Sequence, residues 1–130
     1  MRNMLLDILE KLDSENEDDR LRFLLIFKDN NLIKQFIRRV FYEPFNMPPI
    51  EFYCAGNGST YTTLDRTVML IEKYIGLSLP DDKIKEQAEK LLSVLPIDEA
   101  TVFCDYINNE YSFKNLTKRF IDIALPGEFE

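Results

Sequence analysis

An all-α fold of about seven helices joined by short turns follows from three features of this sequence. Apolar residues recur at the three-to-four-residue spacing of a helix face in almost every segment, and period-two alternation is nowhere sustained. Prolines and Asn- or Asp-rich breaks fall between these segments, where helices end. One stretch, Asn31 to Tyr42, sorts its residues cleanly. Leu32, Ile33, Phe36, Ile37, Val40 and Phe41 form two adjacent stripes, and Asn31, Lys34, Gln35, Arg38 and Arg39 lie opposite. Burying those six apolar side chains would contribute on the order of 10 kcal/mol before conformational entropy is charged against it. The rest of the chain is expected to pack around this helix.

In order, the first helix is expected over Met4 to Leu12, with Leu5, Ile8, Leu9 and Leu12 on one face and a polar break at Asp13-Ser14-Glu15-Asn16. A second starts within Asn16 to Asp18, acid meeting the positive end of the helix dipole, and runs through Leu21, Leu24, Leu25 and Phe27 to Lys28. Asp29-Asn30-Asn31 supplies a turn and an N-cap for the central helix, which Pro44, Pro48 and Pro49 close off. Residues 44–62 form one irregular Pro- and Gly-containing loop. In it, a short extended piece is expected at Ile50 to Cys54, and a tight turn or mobile tip at Gly56-Asn57-Gly58. Thr62-Thr63-Leu64-Asp65 resembles a capping box for a fourth helix that buries Leu64, Val68, Ile71 and Ile75 and stops at Gly76. Pro80-Asp81-Asp82 opens a fifth, with Ile84, Ala88, Leu91, Leu92 and Leu95 inside. After Pro96, Asp98 caps a sixth, with Val102, Phe103, Tyr106 and Ile107 inward. Ser112 caps a seventh, burying Phe113, Leu116 and Phe120. The expected organisation is one domain over 1–125 and a linker-like tail at 126–130.

Size and composition fit a single core: 130 residues, 45% hydrophobic and 30% charged, neither disordered nor fibrous. No apolar run approaches the roughly 18 residues of a membrane span, and the start lacks a signal-peptide pattern, so a cytoplasmic location in a bacterium or phage-infected host is expected. Without histidine, a closed Cys/His zinc site is excluded, and Cys54 and Cys104 are read as free thiols. No metal or cofactor is expected.

Catalytic constellations are hard to assemble. The Ser-His and Cys-His pairs need a residue this chain lacks. Asp18-Asp19 and Asp81-Asp82 are explained as helix starts, AGNGST lacks the lysine of a phosphate-binding loop, and Lys11-Leu12-Asp13-Ser14 lacks the glycine of a K-x-D-G motif. The net charge of −7 argues against general nucleic-acid binding, yet the cations are grouped. Lys34, Arg38 and Arg39 project from the central helix. Lys114, Lys118 and Arg119, interleaved with Ser112, Asn115 and Thr117, project from the last, where a hydroxyl-capped N-terminus followed by two lysines makes a phosphate-contacting pattern. Spacing alone is better explained by two ordinary solvated faces.

Four stretches in co-linear order add to this: Met4–Ser14, Lys28–Tyr42, Thr62–Glu110, and SFKNLTKRF at Ser112–Phe120 followed by Leu125-Pro126-Gly127. Together they resemble the N-terminal, all-helical DNA-binding domain of ATP-dependent DNA ligases of the T-even phage type. That resemblance implies a module that grips nicked duplex DNA through minor-groove and phosphate contacts, in replication or repair, for a catalytic domain elsewhere. No adenylyl-transfer lysine of a K-x-D-G motif is present, so binding and not catalysis is the expectation. Ser112, Thr117 and Lys118 match the family stretch, with Lys114, Asn115 and Arg119 beside them; Lys34, Arg38 and Arg39 are nominated by charge alone. The competing expectation, from the acidic balance, is a protein-interaction module with a basic partner, such as a phage inhibitor or a bacterial immunity protein.

Overall fold

The computed structural model describes residues 3–46, 50 and 63–129. These form seven helices: α1 (Met4–Leu12), α2 (Glu17–Phe27), α3 (Asn31–Phe41), α4 (Leu64–Gly76), α5 (Asp81–Val94), α6 (Ile97–Ile107) and α7 (Lys118–Ala124). The fold is all-α, with no strand among the described residues. None of these helices is long and apolar enough to cross a membrane. The extended piece expected at Ile50 to Cys54, the turn at Gly56-Asn57-Gly58 and the Cys54 thiol lie outside the described residues, Ile50 excepted.

Local chemistry explains where most helices start. The side chains of Asn3, Asn16, Asn30, Thr63 and Thr117 each accept a backbone N–H from the first turn of the helix that follows, a contact whose loss typically costs about 1 kcal/mol. Thr63, not Thr62, is the cap of α4, so the expected box is displaced by one residue. Helices α5 and α6 instead begin directly after Pro80 and Pro96, with acid in their first turns. Asp98 lies inside that turn of α6, accepting the N–H of Glu99 at 2.9 Å, and is not the cap.

The contacts group into two units: Met1–Pro44 with Ser112–Glu130, and Phe45–Tyr111. In the first, α1 packs on α2, and the buried set is Leu5, Leu6, Ile8, Leu9 and Leu12 of α1, Leu24 of α2, Ile33, Phe36 and Ile37 of α3, then Leu116 and Ile121. Helix α2 buries less than its composition promised: Leu21, Leu25 and Ile26 are exposed. Consecutive residues sit about 100° apart on a helix, so a Leu-Leu-Ile-Phe run points in every direction and one stripe alone can face inward. Residues 126–129 are no free tail. Phe129 is buried and stacks on Tyr42 with ring centroids 5.0 Å apart.

The second unit packs α4, α5 and α6 against one another around Leu64, Val68, Ile71, Ile84, Ala88, Leu92, Phe103 and Tyr106. Two helices here end in the same six-to-one hydrogen-bonded turn. Leu79 N–H bonds Tyr74 C=O with Ser78 at φ 58°, and Glu110 N–H bonds Asp105 C=O with Asn109 at φ 60°. Gly76 is therefore the last helical residue of α4, and the left-handed position falls on Ser78.

Candidate nucleic-acid interface

All nine nominated residues belong to the first unit, which holds eleven of the sixteen basic residues against twelve acidic ones; the second holds five against eleven. Two ring contacts bring the nominated segments together at the C-terminal end of α3. Phe41 stacks on Phe113 with centroids 5.6 Å apart, and Lys118 Nζ lies 5.1 Å from the centroid of Tyr42. The Tyr42 hydroxyl donates to Asp122 at 2.6 Å, which fixes that ring against α7. Arg38 and Arg39 occupy the last turn of α3, where cations also suit the negative end of the helix dipole.

The arrangement around Ser112 differs from the expectation. Ser112 to Thr117 is not helical, α7 begins at Lys118, and its cap is Thr117, whose Oγ1 accepts the Phe120 N–H at 3.1 Å. A carboxylate from far along the chain decides this. Asp13 accepts three backbone N–H groups: Lys114 on Oδ2 at 2.9 Å, and Asn115 and Leu116 on Oδ1 at 2.7 and 2.9 Å. Asn115 Nδ2 also donates to the Asp13 carbonyl at 2.9 Å. Successive N–H groups converging on one point make an anion-binding nest. Here the anion is the protein's own carboxylate, so this backbone is not open to a phosphate, and the expected phosphate-binding helix start is absent.

The side chains fare better. Among the described residues, Arg38, Lys114, Lys118 and Arg119 have no carboxylate within ion-pair distance, and Lys114, Lys118 and Arg119 are exposed. Lys34 is paired with Glu128 at 3.1 Å, both about two-thirds covered. Arg39 donates to the Glu43 carbonyl at 3.2 Å. Asn115 is held by Asp13, whereas Ser112 and Thr117 are exposed, the Thr117 hydroxyl oxygen being engaged as the cap of α7. Four features escape a reading of spacing alone: Asp13, Tyr42, Glu128, and Arg20, whose guanidinium lies 4.9 Å from the Phe120 centroid while donating to the Ser14 carbonyl at 2.8 Å. The partners of Asp13, Tyr42, Glu128 and the Arg20–Phe120 stack are distant in sequence, so no local pattern announces them.

The second unit contains a cavity of about 430 Å³ lined by Ile50, Thr101, Cys104, Asp105, Asn108 and Glu110. Cys104 is a free, buried thiol. Burial first, then the charges of Asp105 and Glu110, push its pKa up, and burial with Glu110 does the same to Asp105. The donors on its wall are engaged: Thr101 Oγ1 donates to the Ile97 carbonyl, and Asn108 Nδ2 to the Ile50 carbonyl and the Cys104 sulfur. The lining thus offers mainly acceptors.

Comparison with protein-family models, with curated proteins and with solved structures finds no match to this chain.

Proposed function

We propose that this chain is a non-catalytic module that binds duplex DNA, nicked duplex included, without sequence preference, and that its first unit makes the contact. The observation that carries this reading is Lys118 over Tyr42 at the C-terminal end of α3, whose last turn holds Arg38. Lys114 and Arg119 are exposed in the segment that carries Lys118, and among the described residues none of these four cations has a carboxylate partner. Phosphate oxygens are the natural ligands of such a group, and contacts of this kind position a duplex without reading its bases. The excess acid sits in the other unit, so the overall −7 does not describe the face in question. With the resemblance noted above, the module would serve a DNA ligase, in replication or repair, in the cytoplasm of a bacterium or phage-infected host. A catalytic domain would supply the chemistry.

The test is fluorescence anisotropy of a labelled nicked duplex titrated with the full chain at several salt concentrations. About four phosphate contacts give a slope of log affinity against log salt of roughly −3.6. The double variant Lys114→Ala, Lys118→Ala should weaken all sequences equally and bring that slope to about −1.8. Absence of binding at low salt ends the proposal.

A second reading draws on the second unit, with its five basic and eleven acidic residues and its acceptor-lined cavity. It is an acidic protein-interaction surface that receives a lysine or arginine from a basic partner. Pull-down with and without nuclease separates the two, since a basic protein retained after nuclease favours this alternative.

A further inference from the structure

We infer that residues 125–129 form a strap that competes with phosphate for the cationic side of α3, with Glu128 as the competing anion and Phe129 as the fastening. This rests on the DNA-binding reading of the first unit.

The strap is built from its own sequence. Helix α7 ends at Ala124, and Leu125 is buried as its C-cap. Gly127 then takes φ 74°, a conformation that side chains other than glycine's adopt at a cost, and the chain turns so that Glu128 N–H bonds the Leu125 carbonyl at 3.2 Å. The turn delivers two side chains onto α3 and its cap. Glu128 reaches Lys34 at 3.1 Å, and Phe129 lies against Tyr42, the ring that also carries Lys118 and donates to Asp122. One aromatic ring therefore joins the strap to the cation set.

The two fastenings differ in strength. Phe129 is 7% exposed, so its ring is held by burial. The Lys34–Glu128 pair is partly solvated, and pairs of that kind are weak and screened by salt. A polyanion that already holds Arg38 and Lys118 would meet Lys34 next on the same helix side, and the carboxylate paired with Lys34 is Glu128. Exchange of one carboxylate for one phosphate adds a contact and removes a repulsive charge. The device raises the threshold for binding without abolishing it: short or weakly charged anions are refused, and long polyphosphates displace Glu128.

Glu128→Gln and Phe129→Ala test this in the full chain, with thermal melts to verify folding. Two readouts are needed. In the first, anisotropy of nicked duplex against salt, Glu128→Gln should tighten binding about three- to tenfold at low salt and steepen the slope by about 0.9, the value of one added phosphate. Equal affinity and slope for wild type and variant overturn the strap while leaving the DNA-binding reading intact. The second readout needs no DNA. The rate at which Lys34 is acylated by a small activated ester, followed by mass spectrometry, should rise severalfold in Glu128→Gln and in Phe129→Ala. An unchanged rate overturns the strap as well. Failure of wild type to bind DNA, with the acylation rates rising, removes the DNA-binding reading and the competition with phosphate together, and leaves only the contact.

Discussion

Two irregular segments, one in each unit, meet the same difficulty with different side chains. Residues 114–116 present three N–H groups to one point, and Asp13, whose carboxylate only accepts, satisfies all three. Phe45 and Ile50 each present an N–H and a C=O, and consecutive amides answer them. Asn109 accepts the Phe45 N–H at 2.8 Å and donates to its carbonyl at 2.8 Å, and Asn108 does the same for Ile50 at 2.7 and 2.8 Å. The choice of Asp or Asn follows from what the backbone offers. Donors alone call for an anion, and a donor with an acceptor calls for an amide. The difference also bears on function, because an anion in the first unit fills a place where a phosphate could otherwise sit.

The largest expected effect breaks the first of these clamps. Asp13→Ala leaves three backbone donors without their protein partner and should cost about 2–4 kcal/mol, read as a lower midpoint in urea denaturation. Asp13→Asn keeps the bonds to Oδ1, loses the one from Lys114, and should cost about half as much. Equal losses for both would mean that Asp13 acts through its charge and not its geometry.

A smaller effect is expected at Asn109. Changing it to Gly retains the left-handed backbone at φ 60° but deletes both bonds to Phe45, for about 1–2 kcal/mol. Changing it to Asp leaves a carboxylate oxygen against the Phe45 carbonyl and should cost more than Gly. If Asp is tolerated better than Gly in the same denaturation assay, the donor-and-acceptor rule fails.

The smallest effect concerns Glu99, a carboxylate doing Asp13's task inside the second unit. It is 8% exposed and accepts the Leu64 N–H at 2.8 Å. Burial pushes its pKa up from the usual 4.5, the Leu64 N–H opposes this, and Asp98 and Asp65 add to it. A raised acid pKa means that the folded chain binds the proton more tightly than the unfolded one. Its contribution to stability therefore falls as pH rises from about 4.5 through the raised value, and is most favourable at the acid end of that window. Glu99→Gln, which can still accept from Leu64, should raise the Tm at pH 7 slightly and flatten its rise on acidification, as followed by melts across pH 4.5–7.

Much of the helical frame was legible in the sequence, because period and caps are local. The cap at Asn30 and the inner faces of α1 and α5 need nothing beyond neighbouring residues. The start of α7 was not legible. Ser112 with Phe113, Leu116 and Phe120 has helical spacing, yet the N–H groups of 114–116 are taken by Asp13, about a hundred residues away, and Thr117 caps α7. The cations of the candidate interface were visible as residue types, but their partners were not. Nothing near Lys34 in sequence points to Glu128, and nothing near Lys118 points to Tyr42. Periodicity reads burial along one helix and is blind to which distant carboxylate answers a charge.

The first unit is discontinuous, and that sets an order of events when the chain emerges from a ribosome. Residues 45–111 leave as one uninterrupted stretch and can condense as soon as they are out. The helices made earliest must wait, since the groups that Asp13 holds are synthesised about a hundred residues later. Until then α3 lacks Phe113, on which its Phe41 stacks, and Glu128, which pairs with its Lys34. The interval is a window in which nascent chains are exposed to chaperones, and it closes only when residues 112–129 join the helices made before residue 45.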